Sequence, residues 1–428
     1  MKDVLDLPRR SGAPLRVLVT SYRSNPHVGG QGVYVRELTR ALLEEGCRVS
    51  VASGPPYPEL DPGVELIPLP SLDLFSVDNA FFSLRPRHLR SRADMAEWTA
   101  HNTGAFGEMT AFGLRLEAFL RANPGRFDVI HDNQTLSLPM ARINRHIPVI
   151  TTLHHPIAID RDFAAAGKPT RLGRMLSRRW HSFTRKQART ARALPRFLAV
   201  SDASRQAYAR YCGVDPARAK VAFNGLDHAI FHPEPAIPRE DDLIVALASA
   251  DVPIKGLDVL VDALALLKAR GAEPRLTVVG QLREGPTRRA LEAAGLMEHV
   301  IFVSGLSQSQ IVDLYRRAGV FVSASRFEGF GFPAAEAMAC GAPVIVSDGG
   351  ALPEVAGEAG VVTPAGDAGA LAGALEQVLA DADLRARMSR KSAERARTAF
   401  RWDAHARAAI ALYEDALGIA SAAKAEAA

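Results

Sequence analysis

Cysteine is scarce. Cys47, Cys212 and Cys340 stand far apart in a chain of 428 residues. No Cys-x-x-Cys or Cys/His spacing suits a metal, and no disulfide framework is implied. A reduced, cytoplasmic setting is expected. Long apolar runs are missing too: no stretch reaches the ~18 residues of a spanning helix. In the N-terminal MKDVLDLPRRSGAP, Asp3, Asp6 and Pro8 interrupt any apolar run, so no signal peptide is read there. A membrane, if one is involved, would be met at its inner surface. Neither sign of charge dominates, since 52 Lys+Arg stand against 47 Asp+Glu for a net +5, so the distribution of charge carries more information than its sum. The Gly-x-Gly-x-x-Gly pattern is absent, which removes support for a dinucleotide fingerprint. No Asp-x-Asp falls beside a strand expected to line a site, so no metal ligand set is read.

What is present is alternation. Domains run about 100–200 residues, so two are expected. Leu15–Thr20, Cys47–Ala52, Phe127–His131, Pro148–Leu153 and Phe197–Ser201 are short apolar, β-branched runs of the kind that form buried parallel strands. The pattern begins again with Leu243–Ala248, Arg275–Gly280, Val300–Val303, Val320–Ala324, Pro343–Ser347 and Gly360–Thr363. Helical stretches separate them, including Tyr34–Glu45, Gly256–Arg270 and Ser307–Ala318. The fold class is therefore α/β, with two doubly wound parallel-sheet domains expected at 14–222 and 223–400, facing a cleft. A last amphipathic helix at 401–418 is expected to pack back on the first domain. Residues 1–13 and the Ala-rich end are expected to be loose.

One segment concentrates chemistry. The loop RFEGFGF follows a strand and precedes the helical AAEAMAC, with Pro333 suited to the first helical position and Gly341 to the C-terminal cap. Gly329 and Gly331 leave backbone N–H groups uncovered beside a helix N-terminus, which favours phosphate. Glu328 in the loop and Glu336, expected in the first helical turn, are poor phosphate ligands. They are good acceptors for hydroxyl groups such as those of a sugar and a ribose.

The run EGFGFPAAEAMACGAPVIVSDGG resembles the Glu-x7-Glu signature of the family 4 retaining glycosyltransferases, which have two Rossmann-like domains in the arrangement called GT-B. The resemblance extends from Leu15 to about Leu417 through GGQGVYV, TTLHHP, AVSDASR, FNGLD and DVPIKGLDVL. It implies a donor sugar contact for Glu328, a ribose contact for Glu336, and close approach of the backbone at Gly329, Phe330, Gly331 and Phe332 to sugar and diphosphate. Lys255 matches the diphosphate lysine, and its charge could neutralise a departing diphosphate. The family usually has arginine five positions earlier, where this chain has Ala250; Arg283 is a candidate substitute. Gly29, Gly30 and Gly32 are expected as a loop closing over diphosphate and acceptor. His154 matches the active-site histidine whose main chain or ring meets the transferred sugar, with His155 beside it. Asn224, Gly225 and Ser201 are expected to help line the site.

The implied activity is retaining transfer of a hexose or N-acetylhexosamine from a nucleoside-diphosphate sugar to an acceptor hydroxyl. UDP is favoured as the common carrier, and no cofactor or metal is required. Two other readings stay open: a sugar-nucleotide epimerase on the same scaffold, and a non-catalytic module that binds sugar nucleotide or membrane. Lys168–Arg196 holds ten Lys or Arg and no Asp or Glu, with Leu172, Met175, Leu176, Trp180 and Phe183 at helical spacing. Arg85, Arg87, Arg90 and Arg92 form a second basic cluster. An anionic membrane surface, a lipid-linked or cell-envelope acceptor, or simply a solvated basic face fits this pattern. Nucleic acid is not supported, for want of interleaved aromatics or a zinc motif.

Overall fold

The computed structural model describes residues 13–25, 30–74, 79–248, 250–273 and 275–419. Gly29, the lead-in at 1–12 and the Ala-rich end from 420 lie outside these. The chain divides into two compact units: one of Met1–Val200, Ser204–Ala222 and Trp402–Ala428, the other of Ser201–Ala203 and Phe223–Arg401.

The first unit carries β1 (Arg16–Ser21), β2 (Arg48–Ser53), β3 (Glu65–Pro68), β4 (Val129–Asp132), β5 (Val149–Leu153), β6 (Arg196–Ala199) and β7 (Ala219–Val221). They form one sheet in the order β3-β2-β1-β4-β5-β6-β7, with each neighbouring pair parallel. Helices on both faces explain why the central strands are apolar throughout rather than alternating. Leu18, Ile130 and Phe197 are fully buried among Leu116, Met140 and Ala191. The edge strands β3 and β7 were not expected from the sequence. They are four and three residues long, and most of β3 is exposed. Neither has an apolar run to betray it.

The helix expected from Tyr34 begins four residues earlier and spans Gly30–Glu44. Gly30 and Gly32 therefore belong to its first turn and not to a loop. Tyr34, Val35, Leu38 and Leu42 are fully buried, so tertiary packing overrides the poor helix propensity of glycine. The helix Trp402–Leu417 packs on Gly30–Glu44 and on β6. The basic stretch is two helices, Arg171–Trp180 and Phe183–Ala193, not one. The break falls where Trp180 and Phe183 both turn onto Phe106, with ring centroids 5.8 and 5.2 Å away.

The second unit carries β8 (Glu240–Leu247), β9 (Arg275–Val279), β10 (Val300–Val303), β11 (Ala318–Ser323), β12 (Val344–Ser347) and β13 (Val361–Thr363) in the parallel order β10-β9-β8-β11-β12-β13. Ile244, Val278, Val320 and Ile345 pack against Leu264 and Leu375 of the covering helices. The helix Gln308–Arg317 opens on a capping box, in which the Ser307 hydroxyl accepts from Gln310 N–H and the Gln310 side chain accepts from Ser307 N–H. Both sheets reverse strand order once, at β1/β4 and at β8/β11. In such sheets, ligands bind outside the carboxyl ends of the strands at this switch point.

The first unit has an unusually polar interior beside its switch point. His131 is fully buried, with Nδ1 2.6 Å from the Tyr413 hydroxyl and Nε2 2.6 Å from the Thr152 hydroxyl. Tyr34 hydroxyl lies 2.7 Å from Thr152 Oγ1 and 2.9 Å from His405 Nε2. Burial pushes the His131 imidazole down to about 3, so it is neutral. This network ties the C-terminal helix to the sheet. Replacing Tyr413 by Phe strands a buried imidazole nitrogen, and is expected to cost about 1–3 kcal/mol, read as a lower urea midpoint.

Candidate active site

In the second unit, the loops after β8 and β11 lie side by side at the switch point. After β8 the chain makes a short 3-10 turn, Pro253–Lys255, and then passes through Gly256 at φ 65°. A Cβ on Gly256 would stand 1.9 Å from the Ala324 carbonyl oxygen, so only glycine lets this loop lie on the end of β11. Arg326 latches the two loops. Its N–H donates to Ile254 O at 2.8 Å, and its guanidinium grips Asp258 at 2.9 and 2.6 Å. Lys255 and Glu328 consequently meet, with Nζ 2.7 Å from Oε1, and the Ser325 hydroxyl donates to the same Oε1 at 2.9 Å. The Glu328 backbone is held as well: its N–H donates to Gly349 O at 3.2 Å and its carbonyl accepts from Ala351 N–H at 2.9 Å. Gly350, at φ 69°, allows that contact, since a Cβ there would come within 2.3 Å of Glu328 O.

The following helix is Phe332–Ala339, capped by Gly331 at φ 97°. The helix begins directly after this left-handed residue, so Pro333 is its second residue, not its first. Glu336 is its fifth and lies in the second turn, not the first. Glu336 keeps part of its surface accessible, but the protein packed around the carboxyl pushes its pKa up to about 7. A hydrogen bond from the Tyr315 hydroxyl to Oε2, 3.2 Å, works against that rise.

Phe330 is buried, with ring centroids 5.1 Å from Phe332, 5.5 Å from Phe400 and 6.2 Å from Phe223. Its side chain is a packing anchor that sets the path of the glycine loop. The Gly329 carbonyl accepts from the Ser201 hydroxyl at 2.6 Å. Asn224, next to Phe223, is fully buried, and neither its carbonyl oxygen nor its amide nitrogen has a partner among the described residues. Orphaned buried polar groups cost about 1–3 kcal/mol each, and Asn224 carries two.

Ala250, in the position of the missing arginine, is buried. The next residue, Asp251, at φ 60°, accepts from Thr287 N–H and Oγ1, both at 2.9 Å, and so pins the β8 loop to the helix Pro286–Ala293. Arg283 is exposed in the loop after β9, and no hydrogen bond or ion pair connects it to Lys255 or Glu328 among the described residues.

In the first unit, β4 and β5 end side by side. His154 follows β5. Its Nε2 lies 2.7 Å from Asn133 Oδ1, and its ring stands edge-on to Tyr34 at 4.6 Å. Burial pushes its pKa down to about 3. His155 pairs instead with Asp160, Nε2 to Oδ2 2.7 Å. The loop after β4 was missed from the sequence. Asn133, Gln134 and Thr135 are all buried there, continuing from the buried His131 and Asp132 that end β4, and no apolar pattern announces it. Gln134 and Leu136 hold φ of 54° and 48°. Such strain costs about 1–3 kcal/mol per residue and persists only when the surroundings impose it. Here the Asp132 carboxylate imposes it, accepting from Leu136 N–H at 3.0 Å and Thr135 N–H at 3.3 Å.

Comparison with known proteins decides the family. The model for glycosyl transferases group 1 matches residues 230–395, and that for glycosyltransferase family 4 matches 28–230. An MMP alpha-(1->4)-mannosyltransferase of Mycolicibacterium hassiacum is 39% identical over 415 residues, covering 94% of this chain and 98% of its own. The chain belongs to the family 4 glycosyltransferases. A D-inositol 3-phosphate glycosyltransferase of Frankia alni is 31% identical over 420 residues, with 92% and 96% covered. In fold, this glycosyltransferase is similar to the sucrose-phosphate synthase of Thermosynechococcus elongatus, with TM-score 0.70 and 23% identity over 94% of this chain and 99% of that one. Both units are thus the Rossmann-like domains of a GT-B enzyme.

Of the residues singled out beforehand in the second unit, Lys255 and Glu328 are in direct contact, and Glu336 lies on the helix that their loop starts. Ser325, Arg326, Tyr315 and the Gly349–Gly350 pair complete the arrangement. Ser325 and Arg326 flank the motif and could have been suspected; Tyr315 lies on another helix and carries no sequence signal. Because the Glu336 pKa stands near 7, protonation below that value removes a hydroxyl acceptor. KM for a sugar-nucleotide donor is expected to rise as pH falls through about 7. The Glu336→Gln variant is expected to abolish this dependence in initial-rate measurements.

Proposed function

We propose that this glycosyltransferase moves a hexose from a nucleoside-diphosphate sugar to an acceptor hydroxyl, with retention at the anomeric carbon and without a metal ion. The observation that carries the reading is the Lys255–Glu328 pair at the β8/β11 switch point, with the Glu336 carboxyl on the adjoining helix. A cation suited to diphosphate beside two carboxylates suited to hydroxyls is the polarity a sugar nucleotide presents. In this assignment Lys255 meets the diphosphate, Glu328 the sugar hydroxyls, Glu336 the ribose, and the Gly329–Phe332 backbone the phosphate and sugar. Asn224 supplies the unpaired carboxamide, and His154 meets the transferred sugar. The bond from the anomeric carbon to phosphate breaks while the bond to the acceptor oxygen forms on the same face. The acceptor proton passes to the departing phosphate.

The name of the Mycolicibacterium relative supports mannose as the sugar and an α-(1→4) linkage, in preference to the UDP-hexose expected from frequency alone. Its assignment as a transferase, shared by the inositol phosphate relatives, also disfavours an epimerase or a module without turnover. In a panel of GDP-mannose, UDP-glucose, UDP-N-acetylglucosamine and ADP-glucose, GDP-mannose is expected to give the largest thermal shift and a slow hydrolysis that survives EDTA. A larger response to a UDP sugar would reverse the donor assignment, and activity restored only by Mn²⁺ would refute metal independence. Glu328→Gln is expected to lower kcat by ~10²-fold or more, the scale for loss of a charge-stabilising contact.

The acceptor side favours a peripheral location. No helix among the described residues is long and apolar enough to cross a membrane. In Arg171–Trp180, however, Leu172, Met175 and Leu176 are 61, 59 and 55% exposed, on a helix whose other charges are all arginine. Phe81, Phe82 and Leu89 are also exposed, beside Arg85, Arg87 and Arg90. Arg179 donates to Thr103 at the end of the helix Arg92–Asn102, and Trp98 of that helix donates to Phe81 O. Apolar side chains ringed by cations suit an anionic lipid surface, and with it a lipid-linked or envelope acceptor. Flotation with vesicles containing phosphatidylglycerol is expected, and is expected to weaken in Leu172→Ser/Leu176→Ser. Equal recovery with neutral vesicles would argue against the membrane.

A further inference from the structure

The edge strand β10 is open on two sides. Its ladder to β9 is closed by bonds from Leu276 N–H to His299 O, 2.9 Å, and from Gly280 N–H to Val303 O, 2.7 Å. The odd-numbered residues of β10 thus turn their backbone groups toward β9. Backbone groups alternate along a strand, so Val300 and Phe302 turn N–H and C=O away from the sheet. No strand among the described residues pairs with that edge. One face is uncovered as well. The helix Gln308–Arg317 packs over β8 and β11. Beside it lies a groove of about 420 Å³, floored by Leu243, Thr277, Ile301 and Val303. Ile301 is 61% exposed, more than any other large apolar residue in a described strand.

Charge does not explain the opening. Arg275 pairs with Asp242 at 3.0 Å and with Glu240 at 2.9 Å, and Arg317 Nε donates to Glu240 at 2.7 Å. The arginines of the groove are committed to the protein's own carboxylates, which disfavours a phosphate or another anion. An open strand edge invites pairing with another chain, and proteins blunt such edges with charge, proline or shortness. The other three sheet edges follow this rule. β3 runs from Glu65 to Pro68, β7 carries an exposed Lys220, and β13 stops after three residues at Pro364. β10 is Val-Ile-Phe-Val and has neither charge nor proline.

We infer that β10 is a docking edge for a second copy of this chain, with the two β10 strands antiparallel about a two-fold axis through Ile301. The backbone sets this register. Only residues with outward groups can exchange hydrogen bonds across the axis, so Val300 pairs with Phe302 of the second copy, and Phe302 with its Val300. These pairs use every outward N–H and C=O of the strand. Ile301 then faces its own counterpart at a position without hydrogen bonds, where Cα atoms come within about 4.5 Å. Like charges directly opposite would repel, and Val300–Gly305 carries no charge. A two-fold axis asks for one self-complementary surface and not for two matched ones, which favours a second copy over a foreign strand. Pairing covers the exposed Ile301 and joins the two six-stranded sheets edge to edge.

Sedimentation velocity of the full chain from ~1 to ~100 µM tests the association, because a strand-edge interface is small and its dimer is weak. The average mass is expected to rise with concentration toward twice that of the chain. Ile301→Lys sets like charges on the axis. It is expected to stay monomeric at ~100 µM with a thermal midpoint within ~2 °C of wild type, since the side chain it replaces is exposed. Ile301→Cys reads the register, because the facing Cα atoms lie within disulfide reach. Mild oxidation is expected to give a dimer on non-reducing gels that dithiothreitol cleaves. Val362→Cys, on the exposed edge β13, is expected to give at least ~tenfold less of it, having no facing partner at bonding distance. Cys47, Cys212 and Cys340 are buried and do not compete. A wild type that is monomeric at the top concentration, a dimer that Ile301→Lys leaves intact, or an Ile301→Cys chain that crosslinks no better than Val362→Cys would overturn the inference. None of these measurements uses a donor, so their outcome is separate from that of the glycosyl-transfer reading.

Discussion

The second unit is organised around the meeting of a lysine and a glutamate 73 positions apart at the reversal of a parallel sheet. Crossovers run in opposite directions from β8 and β11, so their carboxyl ends open a crevice that no connection covers. Two loops entering such a crevice would not by themselves hold a charged pair in register. Gly256 lets one loop rest on the end of β11, Arg326 bonds the other loop back to it, and Gly350 lets Glu328 join a backbone bridge. The positions of Lys255 and Glu328 therefore depend on backbone contacts that only glycine permits.

Ala250 bears on this frame. The cation common at that position in the family is replaced by a small buried side chain, and the neighbouring Asp251 spends its carboxylate on Thr287. The β8 loop is thus fixed by a neutral and an anionic residue where a cation is usual, and Lys255 is the cation in direct contact with Glu328. Arg283 remains exposed and is not drawn into the group. In the proposed assignment, Glu328 and Glu336 form the half that binds hydroxyls, while the half that binds phosphate rests on Lys255 and on backbone N–H groups at the start of the helix Phe332–Ala339.

The first unit uses its switch point differently. It gathers buried polar side chains rather than an ion pair: Asp132 and Gln134 accept from backbone N–H groups, and His131 meets Tyr413 and Thr152. Such hydrogen bonds are rigid, because breaking one in a low-dielectric interior is costly. That rigidity sustains left-handed backbone at Gln134 and Leu136, while burial keeps His131 and His154 neutral.

Much of this was legible beforehand. The apolar β-branched runs announced the central strands, and their repetition announced two doubly wound sheets, since a strand buried on both faces has to be apolar throughout. The run from Glu328 to Gly341 announced a site because its glycines, proline and carboxylates are local features. Edge strands β3 and β7 stayed hidden, being too short and too exposed to carry a pattern. The start of the helix at Gly30 stayed hidden because its glycine-bearing first turn has poor propensity and is carried by the buried turns that follow from Tyr34. The buried loop at Asn133–Thr135 stayed hidden for a related reason: polar residues after a strand read as an exposed loop, and burial is a property of what surrounds them. Sequence by itself determined the two α/β units and, through the resemblance its ordered motifs carry, the class of enzyme, because strand patterns and motifs are local features of the chain. Only the tertiary structure decided which of those residues touch and which histidines are neutral, because contacts between distant strand ends arise when the sheet assembles.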